Sequence, residues 1–143
     1  MNEGLIAKAT IDINASIAKV WEALITPEMI KQYMFGTEVV SEWKEGSSII
    51  WKGIWEGKPY EDKGIILKVK PMNTLQYSHF SPLSGVPDVP ENYHTLTYEL
   101  SNEESHTLVS LSQDNNANEK AKEHSQKMWE TLLAGLKRVL ENK

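Results

Sequence analysis

Apolar and polar residues alternate from Leu5 to Asn14, with Leu5, Ala7, Ala9, Ile11 and Ile13 on one side and Ile6, Lys8, Thr10 and Asp12 on the other. A period of two is that of a half-buried strand. Behind Ser16, whose hydroxyl suits an N-cap, the period lengthens, and Ile17, Val20, Trp21, Leu24 and Ile25 share one helical face. Thr26-Pro27-Glu28 opens a second short helix, with proline at the first helical position and an early acid. Met29, Ile30, Tyr33 and Met34 form its apolar side, and Gly36 ends it.

Strand patterns follow over Thr37–Trp43, Ser48–Trp55, a run after Gly57-Lys58-Pro59 that ends near Lys70, Thr74–Phe80, Tyr93–Leu100 and His106–Asp114. Gly46-Ser47, Pro71-Met72-Asn73 and Ser101–Ser105 supply turns between them. The stretch Ser81–Asn92 holds Pro82, Gly85, Pro87 and Pro90, and is too long and too rich in proline to join a ladder. A last helical period runs from Asn116 to Lys143, with Asn116 and Glu119 spaced as a capping box. Its apolar stripe is Ala121, Met128, Trp129, Leu132, Leu136, Val139 and Leu140, interrupted by His124 and Ser125. About 24 helical residues span roughly 36 Å, enough to cross a sheet. Gly135 costs such a helix about 1 kcal/mol relative to alanine, which points to close packing at that position.

These elements predict an α+β fold in one domain over residues 1–143. A curved antiparallel sheet of about seven strands wraps around a long C-terminal helix, and two short helices follow the first strand. The concave face must be buried, and a single helix covers it only partly. A cavity between helix and sheet is the consequence.

Composition narrows the partners. A net charge of −5 and scattered basic residues disfavour nucleic acid, because a phosphate-binding surface needs clustered lysine and arginine. Lys137-Arg138 is the only basic pair near the chain end, where the helix dipole favours cations in any case. The absence of cysteine removes disulfides, thiolate nucleophiles and thiolate zinc sites. Met1-Asn2-Glu3-Gly4 lacks the basic start of a signal peptide, and no apolar run approaches the ~18 residues of a membrane span. A cytoplasmic protein is expected.

Several stretches carry a resemblance to a known family. They are Val20-Trp21-Glu22-Ala23-Leu24 before Thr26-Pro27-Glu28, Glu45-Gly46, Gly64-Ile65-Ile66-Leu67, Pro71 before Leu75, Thr107-Leu108-Val109-Ser110-Leu111, and the terminal helix with Trp129. Together they resemble the START-like superfamily, also called helix-grip or polyketide-cyclase-like. Within it the chain is most similar to the family named after the activator of heat-shock protein 90 ATPase. The resemblance implies an interior pocket for a hydrophobic small molecule or lipid and brings no family-wide catalytic residues. Two positions depart from it. Met128 stands where the family often has glycine, so the helix should stand further off the sheet or fill the cavity. Gln113 stands where it often has histidine.

Strand parity then assigns faces. Leu75 and Tyr77 put His79 inward; Leu96, Tyr98 and Leu100 put His94 inward; Val109 and Leu111 add Thr107 and Gln113. Antiparallel pairing sets Tyr77 opposite Leu96, His79 opposite His94, Leu96 opposite Leu111 and His94 opposite Gln113. Extended sideways, one row reads Trp51, Ile65, His79, His94, Gln113, and the row beneath reads Ile49, Leu67, Tyr77, Leu96, Leu111. Asp62 and Glu99 read as outward, which leaves no carboxylate to orient either imidazole. Trp51 and Trp55 share the inner face of their strand, whereas Trp21 and Trp129 read as core residues on helices.

The expected ligand site is therefore Trp51, Trp55, Tyr77, His79, His94, Tyr98, Gln113, Met128 and Trp129, beneath the Ser81–Asn92 loop as a cover. Apolar walls with a few convergent polar groups are the usual make-up of a small-molecule site. The two histidines admit a plainer reading as strand-end residues bonded to backbone or water. Two imidazoles fall short of the three protein ligands a zinc ion needs, so no metal and no cofactor are expected. No nucleophile elbow and no phosphate loop occurs. The expected function is binding of a small hydrophobic or aromatic molecule, without an enzymatic role. The alternatives are a polyketide-cyclase-like enzyme in which His79 and His94 move protons, and a domain that stimulates a chaperone ATPase. Against the last stands the additional N-terminal domain of the eukaryotic co-chaperones, for which 143 residues leave no room.

Overall fold

A computed structural model of the chain describes residues 5–34, 36–82, 85–104 and 106–141, with the Trp55 side chain outside the described set. The element order is β1 (Ala7–Ile13), α1 (Ile17–Ile25), α2 (Pro27–Tyr33), β2 (Glu38–Ser41), β3 (Ser48–Trp55), β4 (Lys58–Lys70), β5 (Thr74–His79), β6 (His94–Glu103), β7 (His106–Gln113) and α3 (Glu119–Glu141). The strands pair antiparallel in one sheet, in the order β1-β7-β6-β5-β4-β3-β2. The alternation that defines β1 is realised against β7, where Ala7, Ala9 and Ile13 face inward beside Gln113, Leu111 and Thr107. This is the helix-grip arrangement: a sheet around one long helix, with α1 and α2 wedged in after β1.

Local chemistry accounts for the element ends. Ser16 caps α1 by accepting the Lys19 N–H at 3.3 Å, and Pro27 begins α2. The β3–β4 hairpin turns through Glu56 and Gly57, with φ of 51° and 81°, so Lys58 and Pro59 belong to the strand and not to the turn. Two positive φ values in a two-residue connection match the right-handed twist of the flanking strands. The β6–β7 hairpin is also tighter than the expected Ser101–Ser105 turn: Glu103 pairs with His106, and Ser105 itself lies outside the described residues.

The long helix starts later than expected. Asn118 caps it, its Oδ1 accepting the Ala121 N–H at 2.8 Å, and Asn116 is released for another task. The helix packs on β1 and α2. Leu132, Leu133, Leu136 and Leu140 are its buried apolar side chains, all in its C-terminal half; Leu133 was absent from the predicted stripe. Met128, expected in that stripe, is 38% exposed. At Gly135 an added Cβ would stand 3.4 Å from the Tyr33 Cβ, so the predicted close approach is to α2. The end of α3 is tied to the end of β1, with Asn14 N–H donating to Glu141 Oε2 at 2.7 Å and Lys137 Nζ to the Asp12 carbonyl at 2.8 Å. Among the described residues no helix is long and apolar enough to cross a membrane.

Two registers differ from expectation. The β5–β6 pairs are as predicted, with Tyr77 opposite Leu96 and His79 opposite His94. On β7, however, Gln113 faces Leu96 and Leu111 faces Tyr98, a shift of two residues set by the shorter hairpin. The faces survive, because the period is two. On β4 the faces themselves are exchanged. Ile65 and Leu67 are 43% and 44% exposed, whereas Ile66 is fully buried opposite Tyr77. The ladder shifts between Ile66 and Lys68, so parity before this irregularity is opposite to parity after it.

Candidate functional site: a cavity between the long helix and the sheet

The C-terminal half of α3 seals the core, and the N-terminal half leaves a cavity of about 300 Å³ against the sheet. Trp51, Tyr77, His79, His94, Leu96 and Gln113 line it from the strands, and Ser125, Met128, Trp129 and Leu132 from the helix. Met34, Thr37 and Tyr60 close the side beneath the β2–β4 end. Trp51 is the aromatic centre. Its ring lies 5.1 Å from that of Tyr77 and edge-on to His79 at 4.9 Å, both ordinary aromatic geometries.

Exchange of the β4 faces brings in a residue that strand parity assigns to the outer face. Asp62 pairs with Trp51 across the β3–β4 ladder and lines the cavity. Its Oδ2 lies 2.8 Å from His79 Nε2, with the two side chains 16% and 27% exposed. An imidazole that is expected to lack a carboxylate partner therefore has one. His94 is oriented differently. Its Nδ1 lies 2.9 Å from the Asp114 carbonyl, and a carbonyl only accepts, so Nδ1 carries a proton and the neutral ring keeps a lone pair on Nε2.

Gln113 is committed to structure. Its Oε1 accepts the Trp129 indole N–H at 2.8 Å, and its Nε2 donates to Asn116 Oδ1 at 3.4 Å. Buried Asn116, in turn, donates to the carbonyls of Leu5 and Gln113 and accepts from Ser125 Oγ at 3.1 Å. This chain of bonds fixes Trp129 as a wall of the cavity and joins β1, β7 and α3. Tyr60 reaches Thr37 Oγ1 at 2.7 Å by lying over Gly53, where a Cβ would meet its hydroxyl at 2.5 Å. Tyr98 lies below the cavity, 2% exposed, accepting the Tyr77 hydroxyl at 3.3 Å. Burial pushes the Tyr98 hydroxyl up to about 12, and raises Tyr33 and Tyr77 well above their ordinary value.

An outer chamber of about 650 Å³ adjoins the first, sharing His79, His94, Gln113 and Ser125 as its boundary. Asn115, Asn118, Lys120 and His124 give it polar walls, and Val86, Glu91 and Asn92 of the proline-rich loop cover it. The end of this loop is held by specific bonds. Asp88 is ion-paired with Lys63 and accepts the Tyr93 hydroxyl at 2.6 Å, and Asn115 Nδ2 donates to the carbonyls of Glu91 and Tyr93.

Of the nine residues expected at the site, Trp51, Tyr77, His79, His94, Gln113, Met128 and Trp129 line the inner cavity, Tyr98 lies beneath it, and the side chain of Trp55 is outside the described residues. Asp62, Tyr60 and Thr37 were missed. The usable signal for the first two was shared parity with Ile66, which becomes readable only once that face is known. Among the described residues no cluster of three histidine or acidic side chains is arranged to hold a metal ion.

A family model described as activator of Hsp90 ATPase homolog 1-like protein matches residues 14–141. The protein ChR145 of Cytophaga hutchinsonii, known as a solution structure, is 58% identical, with 99% of this chain and 97% of that chain covered and a TM-score of 0.87. The Aha1 dimer of Colwellia psychrerythraea shares 23% identity over 95% of this chain and 96% of that one, with a TM-score of 0.73. CalU16 of Micromonospora echinospora shares 20% identity over 95% and 81%, with a TM-score of 0.74. No curated protein matches the chain. With the family model spanning α1 through α3 and the helix-grip fold in place, the chain belongs to the activator of Hsp90 ATPase homolog 1-like family.

Proposed function

We propose that the domain binds a small hydrophobic or aromatic molecule in the inner cavity, with the outer chamber as its approach. One observation carries this: an aromatic-walled space of about 300 Å³ stays open between α3 and the sheet, although the same helix packs tightly one turn further on. Small-molecule sites begin at about this size, and well-packed interiors keep few voids larger than a water molecule. Met128, where the family often has glycine, borders the space without filling it.

Mass spectrometry of an organic extract of the purified protein, together with titration of an anilinonaphthalene probe, tests this function. A bound aromatic should quench tryptophan emission, and Trp51→Ala should weaken the response. A protein that carries no small molecule and shows no response to apolar probes would exclude the function.

A second activity has one observation in its favour. The Asp62–His79 pair is a carboxylate-oriented imidazole with a second imidazole on the next strand, the arrangement of a positioned proton acceptor. Incorporation of deuterium from solvent into a bound ring, lost in His79→Ala, would support proton transfer on the ligand. A bound ligand that exchanges no faster than free in solution would exclude it.

A further inference from the structure

We propose that Asp62 and His79 form the polar anchor of the cavity and that this anchor selects aromatic ligands bearing a neutral hydrogen-bond donor, a phenol-type hydroxyl. The inference rests on the binding function above and names the class of ligand. It starts from one atom. Asp62 Oδ2 receives His79 Nε2–H at 2.8 Å, but Oδ1 is buried and no group among the described residues donates to it. A buried carboxylate oxygen without a donor is costly, and Asp62 belongs to the wall of the cavity.

The remaining polar groups of that wall set the sign of the preference. Gln113 is engaged at both ends of its amide by Trp129 and Asn116. Thr37 and Tyr60 bond one another, and Tyr77 donates to Tyr98. His94 spends its Nδ1 proton on the Asp114 carbonyl, which leaves an acceptor on Nε2. Asp62 Oδ1 and the unprotonated Nε2 of a neutral His94 ring are both acceptors, and among the described residues no lysine or arginine lines the space. A carboxylate ligand would meet the Asp62 charge with no fixed cation to offset it. An ether or ketone would bring a second acceptor and no proton. A primary ammonium would bring three protons into walls that are mainly aromatic and aliphatic, where most of its hydration would be lost. A hydroxyl on a flat ring brings the one donor required, received when the Asp62 carboxylate turns its buried Oδ1 toward the space, while the ring packs against Trp51 and Tyr77. Sites built around a ligand hydroxyl reject analogues that lack it, because the buried partner is then left unpaired.

Calorimetric titration of the full chain with naphthalene, 2-naphthol, 2-methoxynaphthalene and 2-naphthoate tests this at one pH near neutrality. The wild-type protein should bind 2-naphthol at least about tenfold tighter than the other three. Asp62→Asn retains the shape and an acceptor for His79 but turns an amide N–H₂ toward the second position. It should abolish the preference for naphthol over methoxynaphthalene and improve naphthoate. Equal binding of naphthol and methoxynaphthalene to the wild-type protein would overturn the inference and leave the binding function standing. A naphthol preference that persists in Asp62→Asn would overturn it too, since the anchor would lie elsewhere. If none of the four binds, the cavity is not a site for aromatic molecules and both fall. The wild-type ranking decides even if the variant does not fold.

Discussion

Three tyrosine hydroxyls are held away from water in this molecule, and each has a definite partner or role. Tyr33 donates to the Ala23 carbonyl at 2.8 Å and joins α2 to α1, while Tyr77 and Tyr98 bond one another under the cavity. Burial raises all three, Tyr98 to about 12, so the folded protein holds these protons where the unfolded chain releases them near 10. The folded state therefore binds more protons between pH 10 and 12, and stability is complete below pH 10 and falls as pH rises through that window. Tyr98 alone should account for roughly 3 kcal/mol of the loss. Urea unfolding at pH 8, 10 and 11.5 should show the decline, and tyrosinate absorbance should appear together with unfolding for these three residues. Absorbance that rises fully while the protein is still folded would refute their protection. Gln113 makes a second test at this scale. Gln113→Leu leaves the Trp129 indole N–H without an acceptor and should cost about 1–3 kcal/mol in urea unfolding. No change would show that the bond contributes nothing to the placement of Trp129.

At the scale of elements, β4 governs what the cavity contains. Gly64 lets it approach β5 so closely that a Cβ there would stand 1.8 Å from the Ser78 carbonyl oxygen. Gly64→Ala cannot be absorbed by a side-chain rotation, because the obstacle is backbone. It should destabilise by at least about 2 kcal/mol and disturb the Asp62–His79 contact two residues away. A thermal midpoint equal to that of the wild-type protein would contradict this packing. The long helix divides in the opposite sense. Leu136→Ala, in its sealed half, should cost about 2–5 kcal/mol, and Met128→Ala, at the cavity, less than about 1 kcal/mol. Equal losses in urea unfolding would mean that the helix seats evenly on the sheet. Gly64-Ile65-Ile66-Leu67 also shows where reading from sequence fails. An unbroken apolar run carries no parity, and the pair Ile65 and Leu67 looks the better core face than Gly64 and Ile66. The irregularity beside Leu67 decides otherwise, and a slip of one residue moves every neighbouring side chain to the other face.

Across the whole molecule, the two chambers adjoin one another, and Val86, Glu91 and Asn92 of the proline-rich loop line the outer one. The loop is fastened by the Lys63–Asp88 pair and the Tyr93 hydroxyl, which hold the Asp88 carboxyl below its usual range. Both charged side chains are about half exposed, so their bond contributes little to overall stability and is open to screening by salt. Its effect should appear in rates. Asp88→Ala, or high salt, should speed both association and dissociation of an apolar probe several-fold in stopped-flow fluorescence, with the dissociation constant nearly unchanged. Rates indifferent to both changes would show that the probe enters by a route the loop does not cover.

The sequence alone determined the order of strands and helices, the helix-grip fold and the pairing of His79 with His94, because alternation and helical spacing are local and repeat over many residues. It also placed Trp51, Tyr77, Gln113 and Trp129 on inward faces, and these four do line the cavity. Only the tertiary structure decided that Asp62 joins them, that Gln113 serves Trp129, that Asn118 and not Asn116 begins the helix, and that Leu133 is core. Each of these turns on a single residue of register, or on a partner distant in sequence: 17 positions separate Asp62 from His79, and 111 separate Asn116 from Leu5. Periodicity fixes which residues can share a face, but a bulge in one strand and the turn length of one hairpin fix which of them meet.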